Sequence, residues 1–400
     1  RPRDNAPVGL ASAWQAVPTS CPMKYADDYL AQYKDCQWLP LDFLEGFMRD
    51  ALIAAGVPAP DAAIIGDVLI ESDRRGIDSH GIGRLKPIYI DRIRDGILSP
   101  TTTIEVVRER KTTAVLDGHN GMGHVVAKRA MQMAIDKARD HGMGMVAVRN
   151  STHYGIAGYY ATMATQAGMI GMTGTNARPS IAPTFGVENM LGTNPLTIGI
   201  PTDEPFPFVI DCATSIAQRG KIEVYARAGK PMPRGWVVDE DGGTTTDAAQ
   251  ALIDLTRGRA ALTPLGGIGD EDGGHKGYGY ATVVEILSAA LQDGAYLKML
   301  NGFDENHQKI PYPLGHFFMA INVEEFIDLA RFQAISGDIL RQLRASRKAR
   351  GQDQIFTPGE KEHIAWEIRT TRGCPVPKAL QQDMETLRKW YSLPHRFPWD

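Results

Sequence analysis

The sequence predicts a mixed α/β fold with helices at both ends, and three observations carry that expectation. Near the start, apolar residues recur at helical spacing in two consecutive segments, 41–55 and 60–75. From Lys111 the pattern changes to short strand-like runs alternating with small-residue helices, over 112–116, 125–140, 143–148 and 169–175. Beyond Gly294 an apolar strand over 317–321 precedes a long amphipathic helix over 324–347.

The totals bound the classes of function. Four hundred residues suggest two or three structural units, and 43% apolar content is ordinary for a protein that buries a core. A net charge of −4 supplies no field for nucleic acid or for an anionic membrane. No apolar run approaches the ~20 residues needed to cross a bilayer. Residues 1–30 hold no apolar block of signal-peptide type. Cys21, Cys36, Cys212 and Cys374 show neither a CxxC pair nor Cys/His ligand spacing, so reduced thiols in the cytoplasm are expected and no metal is. Cys21 and Cys36 could bridge, though nothing in the sequence demands it.

Taken in order, residues 1–36 read as an irregular arm, because Pro2, Pro7, Pro18 and Pro22 each interrupt a helix. Leu44, Phe47, Met48, Ala51 and Leu52 then form an i, i+3, i+4, i+7, i+8 stripe that Gly56 ends. Gly76 is placed to close the next helix, and Asp78 or Ser79 to cap a third. If that third helix starts there, His80 and Arg84 share one of its faces. The pairing has a chemical use. An imidazole exchanges protons near neutral pH, and a guanidinium clamps a carboxylate through two parallel hydrogen bonds. The plainer alternative is a capping serine, a core histidine and a surface arginine.

Between Thr112 and Val148, strand, glycine turn, helix and strand imitate a dinucleotide-binding βαβ unit. Gly121-Met122-Gly123 followed by Ala127 is a partial glycine fingerprint, with Arg149 near where a 2′-phosphate partner would lie. The third glycine is missing and no acidic residue follows the second strand, so the fingerprint is weak. His153 stands in a polar turn just beyond a strand end, where sites tend to lie. Arg178 occupies the loop Asn176-Ala177-Arg178-Pro179.

The strand 206–210 runs into Asp211-Cys212-Ala213. A strand-to-helix junction there exposes N–H groups suited to a pyrophosphate, and Asp211 could accept from a ribose hydroxyl or serve as a cap. Residues 235–239 and the acidic turn to Gly243 read as a hairpin. Gly273-Gly274-His275-Lys276-Gly277 opens a helix and lacks Walker spacing, yet a lysine at a helix start makes an anion site. The basic run from Arg341 to Arg350 has no interleaved aromatics and reads as a solvated helix end, not a nucleic-acid patch. Thr357-Pro358-Gly359-Glu360-Lys361 opens a further helix.

Asp78-Ser79-His80-Gly81 followed by Arg84-Leu85 resembles the signature of the malate/L-lactate dehydrogenase family of the second type. That family also holds sulfolactate, ureidoglycolate and cyclic-imino-acid oxidoreductases. The similarity runs from about Leu41 to about Gly373 and takes in most of the segments quoted above. It implies an α/β (α+β) architecture with a non-Rossmann NAD(P)-binding domain, built on a largely antiparallel sheet over 111–323. A helical domain would combine 37–110 with 324–400. A homodimer with its active site near the subunit interface is implied as well.

The resemblance also assigns roles. His153 takes the place of the family's proton acceptor, His80 polarises the substrate oxygen, and Arg84 grips the 1-carboxylate, with Ser79 and Tyr89 beside the substrate. An exchange of roles between the two histidines stays open on sequence. Arg178, at the cofactor–substrate junction, suits a substrate with a second anion, which tilts the expectation to malate and oxaloacetate, then to sulfolactate, lactate or ureidoglycolate. Asn176, Ala177, Asp211, Cys212, Ala213, Lys276, Gly277, Gly359, Glu360 and Lys361 are implied contacts of NAD or NADP, with the choice between the two open. Two other classes compete. A metal-assisted hydrolase or lyase is motivated by ten histidines but lacks tight ligand spacing. A catalytically idle binding protein would keep the fold alone.

Overall fold

The stripe of Leu44, Phe47, Met48, Ala51 and Leu52 is fully buried and builds the first core. The structure, a computed structural model, describes residues 23–400. Helices α1 (Met23–Ala31), α2 (Leu41–Ala54) and α3 (Ala59–Arg74) follow one another, and α2 packs its stripe on Ala62, Ile65 and Leu69 of α3. Gly76, at φ +75°, closes α3 in the expected way: its N–H donates to Asp73 O, and that of Ile77 to Ser72 O. The end of the chain returns to this layer. Strand β1 (Gln37–Leu39) pairs antiparallel with β11 (Cys374–Val376), and α12 (Lys378–Tyr391) adds Met384 and Leu387 to the core.

Three expectations need correction. Residues 23–31 are helical where the proline pattern predicts an irregular arm. Tyr29 of this helix packs against Ile364, Ala365 and Ile368 of α11 (Glu360–Arg372), whereas the four prolines and Cys21 fall outside the described residues. Second, neither Asp78 nor Ser79 caps a helix. The residues after His80 form a 3-10 turn, Ile82–Arg84, and then a π-helical turn, Leu85–Ile90. The N–H of Ile82 donates to the buried carboxylate of Asp73 at 2.8 Å. Asp78 is taken instead by Arg369 and Tyr33. His80 therefore precedes the helical turns and does not share a helix face with Arg84. Pro87 offers no N–H to an α-ladder, and the wider turn holds Tyr89 inward, 1% exposed. The short helix α4 (Asp91–Arg94) follows.

Third, the expected turn forms, with Asp239 N–H donating to Gly243 O at 3.0 Å and Met232 N–H to Thr246 O at 2.9 Å, but the strand that pairs with β8 (Val237–Asp239) is not the segment after that turn. Strand β8 pairs with β9 (Ala260–Leu262), and α8 (Ala248–Thr256), capped by Asp247 at 3.0 Å from Gln250 N, lies between them. The helix expected near Ile216 starts at Arg219, as α7 (Arg219–Arg227).

Seven strands make the central sheet, in the order β2 (Glu105–Glu109), β3 (Thr113–Asp117), β4 (Met143–Ser151), β10 (Leu314–Asn322), β5 (Met169–Thr175), β6 (Leu196–Ile200), β7 (Phe208–Cys212). Every neighbouring pair is antiparallel except β3 and β4. That parallel pair is the βαβ unit legible in the sequence, with α5 (Gly123–His141) as its crossover. The sheet as a whole is the largely antiparallel one that the resemblance implies. Helices α5 and α6 (Ala157–Gln166) pack Val126, Ala130, Met131 and Tyr160 with Val146, Val148 and Phe318 of the sheet.

The start of α5 is closed by protein. Its Gly123 N–H donates to Thr152 Oγ1 at 2.9 Å, which removes the anion site a glycine fingerprint would need. Helix α9 (Gly274–Ala289) lies along β10, and α10 (Leu329–Ala345) begins at Asp328, which accepts from Arg331 N at 2.9 Å. Cys36, Cys212 and Cys374 are free thiols, and no described helix is long and apolar enough to cross a membrane.

Candidate active site

Two turns bring the histidines together. His80 leaves α3 through the turn that Gly76 makes, and His153 follows the end of β4, fixed by the pairing of Ser151 with Leu314 of β10. Their ring centroids lie 5.5 Å apart with planes within 21° of parallel. His80 Nδ1 is 2.8 Å from Ser79 Oγ, and His153 Nδ1 is 2.6 Å from the hydroxyl of Tyr89. Burial, and then the Arg84 charge, lowers the His80 pKa to about 4. Burial does most to take His153 well below the ordinary imidazole value, with His80, His124, Arg84 and Arg92 adding to it. Both rings are therefore neutral at pH 7. Burial also raises Tyr89, which stays a phenol. Arg84 donates from Nε to Ser79 O and has no carboxylate partner among the described residues.

Beside His80 opens a cavity of about 500 Å³, within the range of sites that enclose a small ligand or cofactor. Ser79 and His80 line it, with Gly158, Thr193, Asp211, Ala213, Gly359 and Glu362. Phe206, His363 and Trp366 give it an aromatic wall, since the ring of His363 stacks on Phe206 at 5.0 Å and faces Trp366 at 6.3 Å. Gly359 is required there. It stands at φ +93°, and a Cβ would come within 2.7 Å of Pro207 O. Asp211 accepts from Gly158 N at 2.6 Å and from Thr197 Oγ1 at 2.9 Å, which leaves each oxygen a lone pair. Arg75 lines the cavity already neutralised, donating to Glu71 at 2.8 Å and to Thr162 Oγ1 at 3.1 Å.

Of the residues singled out from sequence, Ser79, His80, Asp211, Ala213 and Gly359 line this cavity, and His153 and Tyr89 meet beside it. The others stand elsewhere. Asn176 is buried, donating to Ala295 O at 3.0 Å and accepting from Gly315 N at 2.8 Å, and Ala177 N–H donates to Asn194 at 3.2 Å. Cys212 has a thiol that burial holds protonated. Lys276 is exposed outside the cavity lining, and Gly277 packs flat on Leu265, whose carbonyl oxygen a Cβ would approach to 2.3 Å. Glu360 accepts from Thr357 N at 2.9 Å, the N-terminal clasp of α11, and Lys361 covers the ring of Phe356 at 4.8 Å. Arg178 lies over Phe303 and Tyr312, at 5.3 and 5.7 Å from their rings, outside the cavity.

Sequence reasoning missed Arg75, Phe206, Glu362, His363 and Trp366, which line the cavity from three separate segments. Only Arg75, inside the Glu71–Leu85 motif, carried a usable signal. Asp73, Asp78 and Cys374 offer ligand atoms within 4.8 Å of one another. The guanidinium of Arg369 donates to Asp78 and reaches Cys374 Sγ at 3.8 Å, so a fixed positive charge fills that cluster.

The profile of the family described as malate/L-lactate dehydrogenase matches residues 39–385. The chain belongs to that family. Among its members, a malate dehydrogenase of Pyrococcus horikoshii is 41% identical over 88% of this chain and 94% of its own length. An L-sulfolactate dehydrogenase of Methanocaldococcus jannaschii is 40% identical over 84% of this chain and 92% of its own. The crystal structure of malate dehydrogenase from Entamoeba histolytica superposes with a TM-score of 0.87 at 45% identity, covering 90% of this chain and all of that one. The family match thus includes both histidines and the whole sheet, while α1 lies ahead of its first residue.

Proposed function

We propose that the protein is an NAD(P)-dependent dehydrogenase of small 2-hydroxy acids, with malate and oxaloacetate as the preferred pair. The carrying observation is the near-parallel pair of neutral imidazoles, with a cofactor-sized cavity beside one ring and an unneutralised arginine, Arg84, next to both. The cavity suits a dinucleotide: an aromatic wall for a flat ring, a carboxylate with spare lone pairs for ribose hydroxyls, and a glycine where any side chain would obstruct. When bound, the nicotinamide supplies the hydride acceptor or donor.

The chain's own groups do the rest. Tyr89 Oη and the Gly155 N–H both meet His153 Nδ1, at 2.6 and 3.3 Å. In the tautomer that gives up the longer Gly155 contact and donates Nδ1–H to Tyr89, the Nε2 lone pair of His153 is free to take the hydroxyl proton in oxidation and to return it in reduction. A depressed pKa keeps that lone pair available at neutral pH. His80, oriented by Ser79, hydrogen-bonds the same substrate oxygen, and Arg84 holds the 1-carboxylate through two parallel donors. Malate is favoured over lactate because relatives of similar identity act, by name, on malate and sulfolactate, both of which bear a second anion. The test follows absorbance at 340 nm with NADH or NADPH and a panel of 2-oxo acids. Oxaloacetate is expected to be reduced fastest, and a trace that stays flat with every acid sinks the reading.

We also read the protein as a homodimer. Tyr280, Val283 and Ile286 of α9, with Leu291, Tyr296 and Met299 beyond it, are 48–61% exposed although apolar, which suits a second copy of the chain. Sedimentation of the purified protein checks this. The free thiols of Cys36, Cys212 and Cys374 suit a reducing compartment such as the cytoplasm.

A further inference from the structure

Beside the catalytic pair lies a narrow cleft of about 10 Å³, room for one small group, where Ile88, Ile97 and Leu98 back the polar residues Tyr89, Arg92, Asn120, Thr152, His153 and Tyr312. It shares no lining residue with the large cavity. Its guanidinium, Arg92 of α4, lies over the ring of Tyr312 at 4.8 Å, and Arg178 approaches the same ring at 5.7 Å. One phenol ring therefore holds two like charges.

Three acids on the elements that carry Arg92 or neighbour the cleft are paired with other cations, while Asp304 and Glu305, next to Phe303, make no ion pair among the described residues. Asp91 pairs with Lys86 at 2.9 Å, Asp95 with Lys309 at 3.0 Å, and Asp117 with Arg149 at 2.8 Å. Among the described residues neither Arg92 nor Arg178 has a carboxylate partner; each makes only its ring contacts. Arg84 and Arg92 are thus two guanidiniums beside the histidine pair without a carboxylate partner among the described residues, and Arg178 stands one ring further out, across Tyr312. The two nearest ones are set apart: Arg84 perturbs both His80 and His153, whereas Arg92 perturbs His153 and Tyr89 but not His80. Arg92 is half-buried in this cleft, so its charge is poorly screened there, and an anion bound beside it offsets the cost; Arg178, exposed on the far side of Tyr312, adds to the same field.

We propose that Arg92, held over the ring of Tyr312 and backed by Arg178, selects substrates that carry a second anionic group at the end remote from the 1-carboxylate. The proposal rests on the dehydrogenase reading and names the part of the site that sets its substrate class: four-carbon 2-oxo diacids, or their three-carbon sulfonate counterparts. A lysine would keep the charge and lose the forked pair of donors and the broad contact with the Tyr312 ring, so recognition depends on the guanidinium and not on charge alone.

The test measures kcat/KM for oxaloacetate, 3-sulfopyruvate and pyruvate on the wild type, Arg92→Met and Arg92→Lys, at fixed saturating cofactor. Arg92→Met keeps the aliphatic stem, and the thermal midpoint reports that it is folded. The expected result is a loss of about 10- to 100-fold for oxaloacetate or sulfopyruvate, the factor carried by one charged hydrogen bond, with pyruvate changed by less than about threefold. Arg92→Lys should fall between the two. A parallel fall on all three acids assigns Arg92 a structural role and overturns the proposal. So does no change on any. A wild type inactive with every acid defeats the dehydrogenase reading as well, and is distinguishable because it fails before any variant is compared.

Discussion

The two sides of the histidine pair follow opposite electrostatic rules. On the cavity side, the guanidinium of Arg75 is neutralised by Glu71, and the remaining surface includes an aromatic wall, small residues and the acidic side chains of Asp211 and Glu362. On the other side, Arg84, Arg92 and Arg178 are left without carboxylates, and Tyr89 and Tyr312 supply rings and hydroxyls between them. The difference separates two kinds of recognition. The cavity side is built to hold a larger ligand, the cofactor of the proposed reading, by shape, stacking and directed hydrogen bonds, which discriminate well without net charge. The smaller one has little surface to bury, so charge must supply its binding energy.

The largest effect should come from removing the group at the boundary. His153→Ala is expected to lower kcat by ~10²–10⁴-fold while NAD(P)H affinity, followed by nucleotide fluorescence, stays near wild type. Unchanged turnover would remove His153 from the mechanism. Arg84→Ala tests the charged side alone. Losing a charged hydrogen bond of about 1.5–3 kcal/mol should raise KM for the 2-oxo acid by about 10- to 100-fold and leave cofactor binding unmoved. A matching loss of cofactor affinity would mean the two sides are not separate.

How much of this was legible in the sequence follows from distance along the chain. The α2 stripe, the Gly76 cap and the β3–α5–β4 unit are local patterns, and each forms close to where periodicity places it. The meeting of His80 with His153 is not local, and only the family resemblance pointed to it. The glycine fingerprint failed because nothing in Gly121-Met122-Gly123 reveals that Thr152 will occupy the helix end. The cap at Asp78 failed because a buried acceptor from the preceding helix, Asp73, was better placed for Ile82 N–H. Phe206, His363 and Trp366 look like ordinary core or surface residues in sequence, and only folding makes them one wall.

The uncharged side can be broken through its backbone. Gly359→Ala places a methyl 2.7 Å from Pro207 O at a positive φ, which costs about 1–3 kcal/mol. If that cost falls on the cavity, cofactor Kd rises by about 5- to 100-fold while KM for the 2-oxo acid stays within about twofold at saturating cofactor. Equal movement of both constants would refute the division.

Acid should act on the imidazoles around the pair. Burial, with a smaller push from Arg84, lowers His80 to about 4. Burial also lowers His124 and His316 to about 3, with His316 adding to the effect on His124. A histidine lowered in the native state takes its proton first in the unfolded chain, near pH 6.5. The histidines' share of stability is thus level above about pH 7 and falls from about 6.5 to about 4, with proton uptake by these rings on unfolding. Burial also raises the Asp73 carboxyl to about 8, and that group acts in the opposite sense, adding stability as pH falls from about 8 to about 4. The slope is at most about 1.4 kcal/mol per pH unit for each group, less for the half-buried His80. A urea midpoint that rises steadily from pH 7 to pH 5 would contradict the burial of these rings.

The smallest expected effect lies outside both sides, in the strap that carries His80. Tyr33 donates to Asp78 at 2.7 Å, next to the Arg369 fork, and Asp78 is adjacent to Ser79, which orients His80. Tyr33→Phe removes one hydroxyl and leaves both Arg369 bonds, so about 0.5–1.5 kcal/mol of stability should be lost. If the residues ahead of the family match merely pack, kcat should follow only the folded fraction. If they also hold the His80 turn in register, kcat should fall by a few-fold at a temperature where the variant is fully folded, with both Michaelis constants unchanged. A comparison of Tyr33→Phe with wild type at 25 °C, well below either melting midpoint, decides between these outcomes.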